Sequence, residues 1–244
     1  RTGPITVELN FRDDGYRPWN LPELESVVRP MREKEWTGAE EWDIPNTISK
    51  SIRAGGAPHF LRRRRRKAPQ YLFLIEQKSV RDHLAGFYAD LVLELSRRDL
   101  DAEFYFYDRI PRQCWKDRRD PSTYTSIDRL NAMYQLSRLI LIGEGEGLLA
   151  VSQEPGANAE KSSTKIHLYP SELAFQLRDD WPAVALLNTR STGLWGEVET
   201  ALHQLFPVAP ANVAGLGSLM EQWKNRTSYQ PYFWKLEKIG RAHV

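Results

Sequence analysis

Pro69-Gln-Tyr-Leu-Phe-Leu-Ile-Glu-Gln-Lys-Ser-Val-Arg-Asp-His83 decides how the rest of the chain reads. An apolar run, Tyr71 to Ile75, stops abruptly at Glu76, and a polar turn leads into an amphipathic pattern. A parallel strand buried on both faces has no exposed side to make polar, so it reads as an unbroken apolar run. The carboxyl end of such a strand borders the crevice where open α/β sheets hold their ligands. Residues 76–79 therefore mark the edge at which to look for a site.

Downstream the chain alternates strand and helix. Val80–Arg98 carries Leu84, Phe87, Tyr88, Leu91 and Leu95 at helical spacing. Ala102–Asp108 reads as a second strand, Ser126–Gln135 as a short helix and Ser137–Ile142 as a third strand. A loop rich in Ser, Lys and Ala covers 152–165; a helix is expected over Ser171–Arg178 and a strand over Ala183–Leu187. A helix over Leu194–Phe206, a short strand at Pro207–Ala209 and a helix over Val213–Trp223 complete the series. Such alternation predicts an α/β fold: a doubly wound, mostly parallel sheet with helices on both faces.

Upstream the texture differs. Ile5–Phe11 alternates like a half-exposed strand, Leu21–Trp36 reads as a helix interrupted by Pro30, and Ile44–Ala54 as a helix ended by Gly55-Gly56. Trp19, Trp36 and Trp42 are expected to cap this segment against the main core. The predicted organisation is a strand/helix elaboration with a basic linker over 1–69, the α/β domain over 70–224, and an aromatic tail over 225–244 with Tyr229, Tyr232, Phe233 and Trp234.

Composition excludes several classes. Hydrophobic residues at 41% with 27% charged exclude wholesale disorder, and a net charge of +2 excludes a polycation, so nucleic-acid binding would need a local patch. One cysteine, Cys114, excludes an internal disulfide and a cysteine-rich zinc site, and fits a reducing, cytoplasmic setting. No stretch approaches the roughly 18 apolar residues that span a bilayer, so no membrane partner is expected. The chain opens on Arg1 and reads as a piece of something longer.

The strand ends offer the candidate chemistry. Glu76, Asp108 and Glu144 would stand around one crevice, where carboxylates could hold Mg2+ for phosphoester hydrolysis. Lys78, in the first loop, would place an ammonium where that ion must sit. Gly143-Glu-Gly-Glu-Gly147 lacks the lysine and hydroxyl of a phosphate loop, and its acids would repel phosphate; its glycines suit a tight turn. Ser79, Asp82 and His83 lack the flanking glycines of a nucleophile elbow; Ser79 is the expected N-cap and Asp82 a first-turn acid. The histidines stand singly, without metal-ligand spacing. Arg62, Arg63, Arg64, Arg65, Arg66 and Lys67 form the one loud charge feature, a candidate grip on anions or nucleic acid. No aromatic platform is interleaved with that run, as base stacking would require.

The order of apolar strand, acidic loop, long helix, aromatic strand and Leu139-Ile-Leu-Ile-Gly-Glu-Gly-Glu-Gly147 resembles a von Willebrand factor A domain. In that family the first strand ends in Asp-x-Ser-x-Ser and a later strand in an acidic-glycine turn, together forming a metal-ion-dependent adhesion site. Here Glu76, Lys78 and Val80 match the first motif, with Glu144 or Glu146 near the later acid, which implies a degenerate site without a resident metal. Trp181-Pro-x-x-Ala-Leu-Leu187, Trp195-Gly-x-x-Glu-x-x-Leu202 and Pro210-Ala-x-x-x-Gly-Leu216 are similar to divergent A-type domains of large bacterial multidomain proteins, over roughly residues 40–224. That resemblance implies a non-catalytic module of a signalling or conflict-type protein, docking a partner protein or neighbouring domain. Its docking face would be the loops 76–82, 108–120 and 143–150, with Lys78, Arg81, Trp115, Tyr124, Glu144 and Glu146 as contact residues.

Overall fold

The computed structural model describes residues 21–154 and 165–226. The expected strand at 5–11, Trp19, most of the 152–165 loop and the tail aromatics lie outside the described residues. Within them the chain runs α1 (Leu21–Met31), β1 (Glu35–Trp42), α2 (Ile44–Arg53), β2 (Arg62–Lys67), β3 (Gln70–Glu76), α3 (His83–Ser96), β4 (Ala102–Tyr107), β5 (Gln113–Trp115) and β6 (Tyr124–Ser126). It continues α4 (Ile127–Met133), β7 (Ser137–Gly143), β8 (Leu149–Glu154), β9 (Lys165–Pro170), α5 (Glu172–Asp180), β10 (Val184–Asn188), α6 (Glu197–His203), β11 (Val208–Pro210) and α7 (Val213–Arg226).

The main sheet has the order β11-β10-β7-β3-β4-β5-β6. Strands β11, β10, β7, β3 and β4 are mutually parallel, while β5 and β6 extend the β4 edge antiparallel. The chain leaves β3 for β4 on one side and later returns to β7 on the other. The topological switch point therefore lies between the carboxyl ends of β3 and β7. This is the predicted doubly wound α/β architecture.

Alternation along the strands sorts the core into two layers. Tyr71, Phe73, Ile75, Ile140 and Ile142 point to a face covered by α1, α3 and α7. Leu72, Leu74, Leu139, Leu141 and Leu186 point to the face covered by α4, α5 and α6. β3 is buried along its whole apolar run, and it is the central strand. α1 belongs to this core: Leu24, Val27, Val28 and Met31 are buried in the same layer as α7.

Helix starts follow local chemistry. Asp82 accepts hydrogen bonds from the backbone N–H groups of Leu84 and Ala85 at 3.0 and 3.2 Å, so it, rather than Ser79, is the N-cap and α3 begins at His83. Ser126 and Ser171 cap α4 and α5 through their hydroxyls. Each such cap contributes about 1 kcal/mol.

Four expectations are corrected. The helix through Pro30 stops at Met31, and Glu35–Trp42 is a strand. Arg62–Lys67 is not a linker but β2, paired antiparallel with β1. The cross-strand register sets Lys67 opposite Glu35, Arg64 opposite Glu40 and Arg63 opposite Glu41. A run of like charges would repel itself as a strand; acids across the ladder remove that repulsion. Trp42 is 54% exposed and does not cap the core. Finally, β5 lies inside the expected loop 108–120 and pairs with β6, while β8 and β9 pair antiparallel on either side of the expected 152–165 loop.

Candidate functional site

The crest of the sheet at the switch point is built from the ends of β3, β7 and β10. Glu76 ends β3, and its Oε2 accepts the backbone N–H of Glu144 at 2.8 Å. That contact joins the first strand loop to the acidic-glycine turn. Gly143 is required here: a Cβ at that position would collide with the Glu76 carboxylate and approach the Tyr107 hydroxyl to 2.7 Å. Gly145 sits at φ 77°, the left-handed turn conformation expected of this glycine run.

Glu144 and Glu146 at the crest are paired with cations, Arg190 serving both. The Lys78 ammonium donates to Glu144 Oε1 at 2.5 Å. The Arg190 guanidinium, from the loop after β10, reaches Glu144 Oε2 at 3.3 Å and Glu146 Oε1 at 2.5 Å. Both oxygens of Glu144 are thus taken by cations. The Lys78 hydrogen bond, chief among several causes, holds the Glu144 carboxyl below its ordinary value. The same bond raises Lys78. Glu76 moves the other way: burial pushes its carboxyl up, against the opposing pull of the Glu144 N–H and Lys78.

The neighbouring loops are fixed by buried polar groups. Asn188, buried at the end of β10, donates to Glu199 Oε1 at 2.7 Å and accepts the Arg190 N–H at 2.7 Å. Glu199 also accepts the Gly196 N–H at 2.7 Å, and Trp195 Nε1 donates to the Arg190 carbonyl at 3.0 Å. Loop 189–196 is therefore held at both ends while Leu194 stands 70% exposed on it. On the other side, buried Gln77 donates to the Ser79 and Arg118 carbonyls and accepts from Trp115 Nε1 at 3.2 Å. These bonds tie the β3 loop to the segment after β5. Val80 and Ile110 stand half-exposed on the crest loops.

Of the residues expected at the site, Glu76, Lys78, Glu144 and Glu146 come together. Arg81 is exposed on the first loop, and Tyr124 is exposed on the outermost strand. Trp115 is corrected: it is buried with its indole N–H spent on Gln77, so it supports the crest from inside. Asp108 is exposed and does not join the others. Among the described residues no three acid, histidine or cysteine side chains gather as a metal site. The Glu76–Asp108–Glu144 constellation therefore does not assemble. Sequence reasoning missed Arg190 and Asn188, and gave Glu199, the acid of the Trp195-Gly-x-x-Glu motif, no role; Arg190 sits one loop beyond the strand whose end it serves.

Fold and crest together define an α/β protein with a switch point closed by its own ion pairs. No protein-family model, no curated protein and no solved structure matches the chain. Among the described residues no helix is long and apolar enough to cross a membrane.

Proposed function

We propose that the chain is a non-catalytic interaction module, of the von Willebrand factor A type with a degenerate adhesion site, that docks a partner protein or neighbouring domain through its crest. The observation that carries this reading is the Lys78–Glu144–Arg190–Glu146 lattice. It occupies the acids with protein cations and leaves little demand for an external ion. Support for the family reading comes from the adjacency of Glu76 and Glu144, the positions matching the first-strand motif and the later acidic turn. Around the lattice, Val80, Ile110 and Leu194 present apolar surface from loops fixed by internal hydrogen bonds. Rigid apolar side chains ringed by polar groups are what a protein interface uses as anchors. The buried thiol of Cys114, pushed up to about 12 by desolvation, is inert and suits a reducing cytoplasm. A place in a large bacterial signalling or conflict-type protein follows from the same reading.

The test is association in trans between this chain and the neighbouring domains of its parent polypeptide, measured by calorimetry. Leu194→Asp and Val80→Asp should each weaken association by about fivefold or more, the effect of losing an anchor worth at least about 1 kcal/mol. Both residues are exposed, so melting should not change. Association indifferent to both substitutions would reject the crest as the docking face.

A further inference from the structure

The β1–α2–β2 arm stands at the opposite end of the sheet from the crest. It is pinned there by Arg138 at the start of β7, whose guanidinium donates to Glu35 at 2.5 Å. α2 contributes nothing to the core: none of its ten residues is buried. Such a helix persists only because its ends and flanks are bonded. Asp43 caps it through Asn46, the Thr47 hydroxyl accepts the Leu61 N–H at 2.9 Å, and the Ser51 hydroxyl accepts the His59 N–H at 2.9 Å.

Those last two bonds hold Phe60 between fixed neighbours, 71% exposed. Its ring meets Trp42 edge-on at 5.7 Å, and Trp42 is itself 54% exposed. Arg62 lies over the Trp42 ring with its guanidinium carbon 4.7 Å from the centroid. The aromatic platform absent from the linear order of the basic run is thus supplied across the ladder from β1 and from the loop before β2.

Beside this platform is a recess of about 500 Å³ lined by Asp43, Asn46, Ser49, Lys50, Arg53 and Arg62, with Leu61. Asn46, Ser49, Lys50 and Arg53 recur at three- and four-residue spacing and so share one stripe of α2. Neither Lys50 nor Arg53 has a partner among the described residues, and Arg62, besides lying over Trp42, makes a loose pair with Glu40 at 3.6 Å. The single acid in the recess, Asp43, is committed to Asn46, whose hydrogen bonds hold its carboxyl below the ordinary value. The recess therefore carries three cations against one occupied carboxylate, with Arg64 exposed further along the same strand.

We propose that this arm binds single-stranded nucleic acid, with backbone phosphates held by Lys50, Arg53 and Arg62 and bases stacked on Trp42 and Phe60. A cationic groove flanked by exposed aromatic rings is the general arrangement for unpaired strands, because any base offers a π-face once it is unstacked. Duplex DNA keeps its bases stacked and leaves the rings without a role. An acidic peptide would use the cations and ignore the platform.

The experiment is fluorescence anisotropy of labelled oligo-dT, oligo-U, a duplex and poly-glutamate titrated with the whole chain over a range of salt. Strands of about 15 nucleotides cover the site size of such grooves. Single strands should bind, with log K falling against log salt at a slope of about −2, three phosphates each contributing about 0.7. The two strand types should differ only where the 2′-hydroxyl is sensed. Lys50→Gln/Arg53→Gln should lose about tenfold or more in affinity and flatten the slope. Trp42→Ala and Phe60→Ala should each lose about tenfold with the slope kept. All four side chains are exposed, so circular dichroism melts should match the parent. Failure of either strand to bind, retention of binding by the charge variant or by both aromatic variants, or equal affinity for duplex or poly-glutamate would overturn the proposal.

Discussion

At the scale of single residues, Glu76 and Glu144 show how one environment treats two neighbouring carboxyls in opposite ways. Glu144 is lowered, chiefly by its Lys78 hydrogen bond, so it adds stability above its unfolded pKa that is lost as pH falls through the folded value. Glu76 is raised by burial; its contribution is complete below the unfolded pKa and is lost as pH rises through the folded one. Burial thus makes ionisation of Glu76 a net cost to the fold at neutral pH. Glu76→Gln keeps an oxygen to accept the Glu144 N–H and removes the buried charge. Its melting temperature should exceed the parent's at pH 7, and the gap should close below pH about 4, where carboxyls are protonated in both states. Thermal melts across that range check it; a lower melting temperature at pH 7 would show that the charge itself is needed. Gly147 makes a second residue-level case. A Cβ there would strike the Arg109 backbone carbonyl, a clash that no side-chain rotation relieves. Gly147→Val should destabilise by about 1–3 kcal/mol, the range for forced overpacking, measured by urea unfolding.

Among elements, the β1–β2 ribbon sets charge against charge across its ladder. Arg63 pairs with Glu41 at 2.8 Å on the exposed ribbon, worth little by itself. Arg138 does more: nearly buried, it joins Glu35 to the Tyr71 and Trp223 rings, 5.9 and 5.1 Å from its guanidinium carbon. Arg138→Ala should release the arm first. Hydrogen exchange should then speed up through β1 and β2 while β3 and β7 stay protected, since local opening follows local contact. Uniform loss of protection would show that arm and sheet unfold together. This ribbon also explains what was legible beforehand. The β3–α3–β4 unit announced itself through an apolar run and helical spacing, both local signals. The pairing of β2 with β1 did not, because its meaning lies in Glu40 and Glu41, which the basic run meets only after the chain turns back around α2. Three-residue strands such as β5 and β6 carry no period to detect. The crest divides in the same manner: Glu76, Lys78, Glu144 and Glu146 were marked by their strand ends, whereas Arg190 reaches Glu144 across 46 positions.

For the molecule as a whole, stability rests on the central strand and its two apolar layers. Leu74 is fully buried in the layer under α4, α5 and α6. Leu74→Ala should cost about 2–5 kcal/mol, a large part of the roughly 5–15 kcal/mol a domain holds in reserve. Leu74→Asp would leave a charge unpaired in that layer and should abolish folding; a folded variant, seen by its near-ultraviolet dichroism, would refute the burial. On this frame the molecule presents two unlike ends. One is an arm of exposed rings and cations, the other a crest whose Glu144 and Glu146 are neutralised from within. The most direct measurement of that second claim is calorimetric titration of Mg2+ and Mn2+ into the parent chain and into Lys78→Ala/Arg190→Ala. The account predicts no saturable heat from the parent at millimolar ion. Stoichiometric, saturable binding of either ion by the parent, lost on Glu76→Gln or Glu144→Gln, would contradict it.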